Sequence, residues 1–325
     1  MKKFYFTSIL MAGVALPLFA NAADSGTCGQ NCSWKIENNV LTVSPTVSGE
    51  PVVMDNYSNV STGETDSAYS YRTAAPWGDA YQTITKVVVS DGIDTVGERA
   101  FQGLRNVTSV SLPDGLTTLG RLSFDRMTSL TSVDIPSSVQ TIGRSAFNFC
   151  SFSSVDIPDS VTSIGDYAFG HNANLESINL PDGLTSLGYA FLSRSNNVSS
   201  IILPESLFEE GAEGINPIML GYTQNVTVYC AQGNQNCLNY QVPICPDGVT
   251  DANENLCVYA ADAPSLAYGT YTKEPNGSYV IDGVRYASFA DMARGRDGAG
   301  LKRIYTVKEA NDAAGKKNTF KIRYK

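Results

Sequence analysis

The sequence predicts a mostly-β repeat solenoid, in which short strands stack turn upon turn. Three markers that recur in phase support this fold class. Prolines recur at spacings of 23, 22, 23 and 23 residues, and a glycine and a phenylalanine keep step with them. The three series are Pro113, Pro136, Pro158, Pro181 and Pro204; Gly97, Gly120, Gly143, Gly165 and Gly188; and Phe101, Phe124, Phe147, Phe169 and Phe191. Their agreement over successive turns leaves little room for chance.

Each repeat unit alternates in polarity before its proline. In the first unit, Val110 and Leu112 are expected to point inward, while Ser109 and Ser111 point outward. Proline then ends the strand, because it cannot donate a hydrogen bond to a ladder. A second apolar pair returns along the other side, and the glycine permits a tight corner before the phenylalanine enters the core. One unit cannot bury its apolar face alone, so several units must stack and both ends must be covered.

The recurring unit also resembles a known family. Residues 130–147 run Leu-Thr-Ser-Val-Asp-Ile-Pro-Ser-Ser-Val-Gln-Thr-Ile-Gly-Arg-Ser-Ala-Phe. This pattern is similar to the BspA-type leucine-rich repeat of secreted and surface proteins, strongly over about residues 84–205 and weakly at 27–43, 75–77 and the closing strand at 225–230. The resemblance implies an α/β-type repeat solenoid in a right-handed arc, with disulfide-stapled caps and roles in extracellular attachment or binding. It carries no catalytic motif.

The first residues have the features of an export signal. Lys2 and Lys3 precede an apolar run at residues 4–19, and Ala20-Asn21-Ala22 supplies a small-x-small cleavage pattern. Residues 1–22 are therefore predicted to be a signal peptide, which directs the mature chain to the cell surface or the medium. An N-terminal membrane anchor is the alternative, although the apolar run is short for a membrane span.

The rest of the chain divides into four predicted regions. Residues 23–83 form an N-terminal cap, in which residues 49–76 are a long surface loop, and residues 84–240 hold the repeats with their closing strand. Residues 241–270 are predicted to be a disulfide-stapled linker, because prolines interrupt them. Residues 271–325 are predicted to form a small basic α+β module.

The predicted module differs from the body in charge. Its residues 285–325 carry 11 Lys or Arg against 4 Asp or Glu, whereas the whole chain has a net charge of −9. The pattern predicts a hairpin at 278–286 with a turn at Asp282-Gly283, a short helix at 288–294 and a strand at 319–324. Sorting, anchoring or docking is one interpretation of this module, and a structural cap is the other.

Six of the seven cysteines form three close pairs along the sequence. Six cysteines allow 15 connectivities, and zinc binding is the alternative to disulfides. No partner histidine stands near them, and an exported chain meets oxidising conditions, so local disulfides are predicted. The predicted pairs are Cys28–Cys32, Cys230–Cys237 and Cys245–Cys257. Cys150 lies inside a repeat and is expected to be a buried apolar residue.

A column of small polar side chains is predicted on the concave face, where the outward positions of successive strands align. The candidate binding residues are Ser109, Ser132, Asp134, Ser154, Asp156, Ser177 and Asn179. Strands stack about 4.8 Å apart, so Asp134 and Asp156 lie at a spacing that suits a shared calcium ion. Calcium prefers six to eight oxygen ligands, and a solvated polar face is the competing interpretation. No metal site is predicted.

The motifs favour a binding protein over an enzyme. His171 is the only histidine and is expected to be solvated in a turn, and the sequence has neither a nucleophile elbow nor a phosphate-binding loop. The acidic body disfavours nucleic acid. The expected partner is a protein or glycan on a cell or matrix surface, bound by the concave face or by the tyrosine-rich loop at 57–81, without a cofactor. A structural envelope-associated protein, docked through its C-terminal module, is the alternative.

Overall fold

The computed structural model shows a stack of short strands with few helices. It describes residues 24–66, 70–209, 214–216, 219–223, 225–241, 266–282, 284–286 and 305–306. The helical elements are the short α-helix α1 (Gln235–Leu238) and two 3-10 turns, Gly78–Ala80 and Glu205–Phe208. Within these described residues, none of the helices has the length and apolar character of a membrane span.

Twenty-two strands make up the rest of the regular structure in the described residues. They are β1 (Ser25–Gly29), β2 (Cys32–Glu37), β3 (Val40–Pro45), β4 (Val52–Val53), β5 (Asn59–Ser61), β6 (Tyr71–Thr73), β7 (Lys86–Val89), β8 (Ile93–Val96), β9 (Ser109–Ser111), β10 (Thr118–Leu119), β11 (Thr141–Ile142), β12 (Ser154–Asp156), β13 (Ser163–Ile164), β14 (Ser177–Asn179), β15 (Ser186–Leu187), β16 (Ser200–Ile202), β17 (Gly214–Ile215), β18 (Val226–Ala231), β19 (Leu266–Lys273), β20 (Tyr279–Ile281), β21 (Val284–Tyr286) and β22 (Tyr305–Thr306).

The first side of the stack is built from the strands before the repeat prolines, together with β1 to β3, β7 and β18. Strand β2 pairs antiparallel with β1 and β3, and β3, β7 and β9 then continue in parallel. The side resumes with the parallel pairs β12–β14 and β16–β18. Residues 132–135 keep the predicted alternation of exposure but form no ladder, so the sheet is interrupted at this turn.

The second side is a parallel ladder of very short strands. Strands β8, β10, β11, β13 and β15 pair in succession, and each ends in a half-exposed Thr or Ser followed by a buried aliphatic residue. This confirms the predicted return of an apolar pair along the other side. Strand β4 joins the ladder beside β8, and β5 pairs with β6. The segment 49–76 is therefore partly built into the stack, rather than being only a surface loop.

The third side, which carries the phenylalanines, is a ladder without regular strands. In one turn the N–H groups of Tyr167, Phe169 and His171 donate to carbonyls 22 residues ahead, at 2.9, 2.9 and 2.7 Å. Phe169 is buried, whereas Tyr167 and His171 on either side of it are half-buried. Both of these flanking residues have a φ of 54°, in the left-handed region. The corner therefore directs one large side chain inward and presents two at the surface.

The phenylalanines stack into a spine through the core. The ring centroids of Phe101, Phe124, Phe147 and Phe169 follow one another at 5.4, 5.1 and 5.5 Å. These rings and that of Phe191 are fully buried. The predicted spine is confirmed from Phe101 to Phe169. In the next turn the N–H of Phe169 donates to the carbonyl of Phe191, so Leu192 takes the equivalent place and Phe191 is buried beside it.

The corner glycines let neighbouring turns approach closely. A Cβ built on Gly143 would lie 2.8 Å from the backbone of the preceding turn, and one built on Gly165 would lie 2.5 Å from the Arg144 nitrogen. Real Cβ atoms do not come this close to backbone atoms, so a larger residue would push the turns apart. The predicted tight corner is a place of close backbone approach.

The N-terminal segment packs on the first turn through aromatic rings. The Trp77 ring stacks 5.9 Å from that of Phe101, and Trp34 and Tyr57 meet it edge-on at 5.7 and 5.4 Å. The indole N–H of Trp77 donates to the carbonyl of Ala100 at 2.9 Å. Trp77 therefore continues the phenylalanine spine into the N-terminal segment.

Two of the predicted disulfides are present. Cys28 is bonded to Cys32, and Cys230 to Cys237. The predicted pair Cys245–Cys257 lies outside the described residues. Cys150 is a free and buried thiol, as predicted, and its burial together with the nearby Asp125 carboxylate raises its pKa.

The later strands continue the repeat sheet. Strand β19 pairs in parallel with β18, and β20, β21 and β22 follow in antiparallel order. The predicted hairpin is confirmed, and Asp282 in its turn has a φ of 51°. The boundary predicted at residue 270 falls inside β19. The predicted signal peptide at 1–22, helix at 288–294 and strand at 319–324 lie outside the described residues.

Candidate functional site

The candidate binding residues lie along the first side, but only part of their column is open. Ser177 is 3% exposed and Asn179 is half-buried, so the prediction of an open column is wrong at this end. The exposed members, which we call the polar face, are Ser109, Ser132, Asp134, Ser154 and Asp156. Within the described residues, no group of three or more potential metal-binding side chains is found, at the two aspartates or elsewhere.

An aromatic layer covers the far end of the first side. Ile202 and Tyr229 are paired neighbours on β16 and β18, and both turn away from the main core. They are nonetheless buried, because Tyr271, Tyr279 and Ile281 of the later strands pack against them. Ile202 and Tyr229 continue the column of Asn179, whereas Ser177 is followed in the next repeat by Ser200, which is 1% exposed. Alternation within a strand predicts that these serines point away from the core, but it does not predict that they are buried.

A polar cleft of about 770 Å³ lies beside the aromatic layer. Its walls come from the turns after two of the repeat prolines and from strands β18 and β19. The Lys273 ammonium pairs with the Asp182 carboxylate, and Glu205 and Glu209 add two further carboxylates. The ion pair ties β19 to an earlier repeat, and we assign no ligand to this cleft.

The only histidine lies in a stack on the third side rather than in solvent. The His171 ring stacks on Phe149 with the centroids 4.1 Å apart, and its Nδ1 lies 3.1 Å from Oδ1 of Asn148. Partial burial, with Arg194 and Arg126 nearby, lowers the pKa of His171 to about 4. The imidazole is therefore neutral at pH 7, and packing accounts for its position.

A buried carboxylate links three turns behind this stack. Asp125 is fully buried and accepts hydrogen bonds from Nε2 of Gln102 at 2.7 Å and from Nδ2 of Asn148 at 2.9 Å. It also pairs with Arg126. Burial raises the pKa of Asp125, while Arg126 and the two amides act in the opposite direction. Because its amide partners come from the turns before and after it, this carboxylate joins neighbouring repeats.

The repeat geometry agrees with a family match. A model of the BspA type leucine-rich repeat region matches residues 80–152, in six copies. Residues 80–152 carry BspA-type leucine-rich repeats. The matched segment includes strands β7 to β11 and the first three phenylalanines of the spine. A search of curated proteins finds no match to the chain.

Solved bacterial leucine-rich repeat proteins are similar to this chain at low identity. A protein from Bacteroides ovatus is 21% identical, with a TM-score of 0.41. The alignment covers 74% of this chain and 66% of the Bacteroides chain. A protein from Eubacterium ventriosum is 18% identical, with a TM-score of 0.38, and the alignment covers 77% of this chain and 73% of the Eubacterium chain. A leucine rich cell surface protein from Faecalibacterium prausnitzii is 13% identical, with a TM-score of 0.23, and the alignment covers 75% of this chain and 94% of the Faecalibacterium chain. The family match, not these superpositions, identifies the repeats.

The sequence prediction missed the side chains that the leucine-rich repeats present on their third side. Gly103 occupies a left-handed position two residues after the spine phenylalanine, with a φ of 73°. The equivalent positions in the next four turns have φ values between 54° and 60°, and they hold Arg126, Phe149, His171 and Arg194, the last of which lies three residues after Phe191. This change from glycine to large side chains, in phase with the repeat, was the available signal.

Proposed function

We propose that this chain is an exported BspA-type leucine-rich-repeat protein that binds a protein or glycan on a cell or matrix surface. In this proposal the repeats form a right-handed arc with disulfide-stapled ends, and the polar face lies on its concave side. The leucine-rich repeat family supports a role in protein binding. The predicted signal peptide and the two disulfides favour an extracellular location.

The observation that carries the proposal is the polar face itself. Its five small polar side chains are exposed on neighbouring turns, while the alternating residues Val110, Val133 and Val155 pack against the core or lie within it. Repeat solenoids use extended surfaces of this kind for binding. Binding specificity then depends on these exposed positions, because the repeat itself specifies only the scaffold.

Saturation binding of the purified chain to intact cells and to coats of matrix proteins tests this proposal. We expect saturable binding to at least one surface. Replacing Ser109 and Ser154 by arginine fills the polar face, so S109R/S154R is expected to lower the affinity at least tenfold (about 1.4 kcal/mol). The control Q140R/T162R adds the same charge at exposed positions outside the polar face. The absence of saturable binding, or an equal loss from both variants, contradicts the proposal.

A further inference from the structure

Three tyrosines from successive turns form a cluster on the third side. The ring centroids of Tyr167 and Tyr189 are 5.1 Å apart, and those of Tyr189 and Tyr222 are 6.1 Å apart. The Tyr189 hydroxyl donates to that of Tyr222 at 3.1 Å. Tyr189 is 8% exposed, and the other two rings are half-buried. The rings support one another, and the accessible surface of the cluster belongs mainly to Tyr167 and Tyr222.

Two exposed arginines flank this cluster. Arg144 lies in the turn before that of Tyr167, where its backbone nitrogen would be 2.5 Å from a Cβ built on Gly165, and the backbone N–H of Arg194 donates to the carbonyl of Tyr222 at 2.9 Å. Among the residues that the structure describes, neither arginine takes part in an ion pair. We call Arg144, Tyr167, Tyr189, Arg194 and Tyr222 the tyrosine–arginine ridge.

The ridge is built on backbone conformations that glycine adopts more readily. Tyr167, Arg194 and Tyr222 have φ values of 54°, 58° and 63°. Left-handed backbone is unfavourable for residues with a Cβ, and Gly103 fills the position of Arg194 in an earlier turn. Left-handed non-glycine residues recur along the third side, as at Arg99, Leu122 and Ser145 in the turns before Tyr167. The strain therefore belongs to the repeat as a whole, and the chemistry of the side chains distinguishes the ridge.

We propose that the tyrosine–arginine ridge binds an acidic segment of a partner protein. Tyrosine and arginine are the side chains that most often dominate protein interfaces. A guanidinium without a partner matches a carboxylate with two parallel hydrogen bonds, and the two arginines stand out in a chain with a net charge of −9. The proposal goes beyond the proposed function, because it requires no contribution from the polar face.

The geometry favours a peptide over a stacked ligand. Neighbouring tyrosine rings are inclined by 65° and 58°, so they offer no row of parallel open faces on which bases or sugar rings could stack. Arg144 and Arg194 lie two turns apart, about 10 Å along the stack at the usual strand spacing, but at different positions of the corner, because Arg194 is the equivalent of Phe149 in the turn of Arg144. An extended acidic segment that contacts both arginines therefore runs obliquely across the turns.

Binding of poly-L-glutamate to the full chain, measured by fluorescence anisotropy at constant salt, tests this proposal. We expect R144Q/R194Q to raise the Kd at least tenfold. The control K35Q/K86Q removes the same two charges from exposed lysines elsewhere and is expected to change the Kd less than threefold. S109R/S154R is expected not to weaken binding, which separates this proposal from that of the polar face. Thermal melting confirms that each variant is folded.

Three results would overturn the assignment. The first is an equal loss in R144Q/R194Q and K35Q/K86Q, which would make the binding a general charge effect. The second is binding of polygalacturonate in place of poly-L-glutamate, which would indicate an anionic glycan. The third is no binding of poly-L-glutamate at all.

Discussion

At the scale of single residues, the stability of the stack depends on side chains that fit between neighbouring turns. Phe147 is fully buried, and its ring lies 5.1 Å from Phe124 and 5.5 Å from Phe169. Phe147→Ala is expected to lower the free energy of unfolding by about 3–5 kcal/mol, because it removes buried apolar surface and leaves a cavity. Urea denaturation followed by circular dichroism measures the change. The control is Phe149→Ala, at a half-buried ring of the same turn, and an equal loss from both would contradict the spine.

His171 allows a pH prediction that a single probe can check. Since it is the only histidine, its ring-proton NMR signals report one titration, and we expect a pKa of about 4. The unfolded chain has the ordinary value of about 6.5. The stabilising contribution of the neutral ring is therefore complete above about pH 6.5 and is lost as the pH falls toward 4. His171→Gln is expected to flatten the pH dependence of stability in this window, and a folded-state pKa near 6.5 would contradict the stack.

Periodicity predicts some of these residues and not others, for a physical reason. The spine phenylalanines recur in phase, and their burial follows from the need of each turn to cover the next. Asp125 and His171 have no such pattern, and their partners Gln102, Asn148 and Phe149 come from neighbouring turns. Reasoning from one turn predicts a solvated His171, because it contains no information on what packs across the turns.

At the scale of elements, Trp77 joins the N-terminal segment to the first repeat. Trp77→Ala is expected to lower the free energy of unfolding by about 3–5 kcal/mol and to speed amide hydrogen exchange in β7 and β8. Trp77→Phe keeps most of the packing and loses the hydrogen bond to Ala100, so it is expected to cost about 1 kcal/mol. Hydrogen exchange with mass spectrometry compares the two variants. If both behave alike, the indole ring does not hold the two elements together.

The elements that the sequence predicts well are those with a strong local pattern. The closing strand and the hairpin after it belong to this group. Strand β4 has only two residues, Val52 and Val53, and joins the ladder through β8 about 40 residues later. Strand β19 pairs with β18 across a long intervening segment. Pairings of this kind depend on the assembled stack, so local alternation could not reveal them.

At the scale of the whole molecule, the leucine-rich repeats carry two exposed surfaces of different chemistry. The polar face is made of small hydroxyl and carboxylate side chains, whereas the tyrosine–arginine ridge is aromatic and cationic. Aligned repeats predicted the polar face, since one strand position recurs in every turn. The same alignment could not predict where that face ends, because the burial of Ser177 and the aromatic layer next to the column of Asn179 depend on the assembled stack.

The most direct test of this account is thiol labelling at two equivalent positions of the first side. Ser132 is exposed and Ser177 is 3% exposed. The unmodified chain supplies the background, in which the buried Cys150 reacts slowly because its pKa is raised. We predict that Ser132→Cys reacts with a disulfide reagent at least about 100-fold faster than Ser177→Cys, which must wait for local opening. Equal rates would show that Ser177 is as accessible as Ser132. That result would contradict the burial that limits the polar face to its five exposed residues.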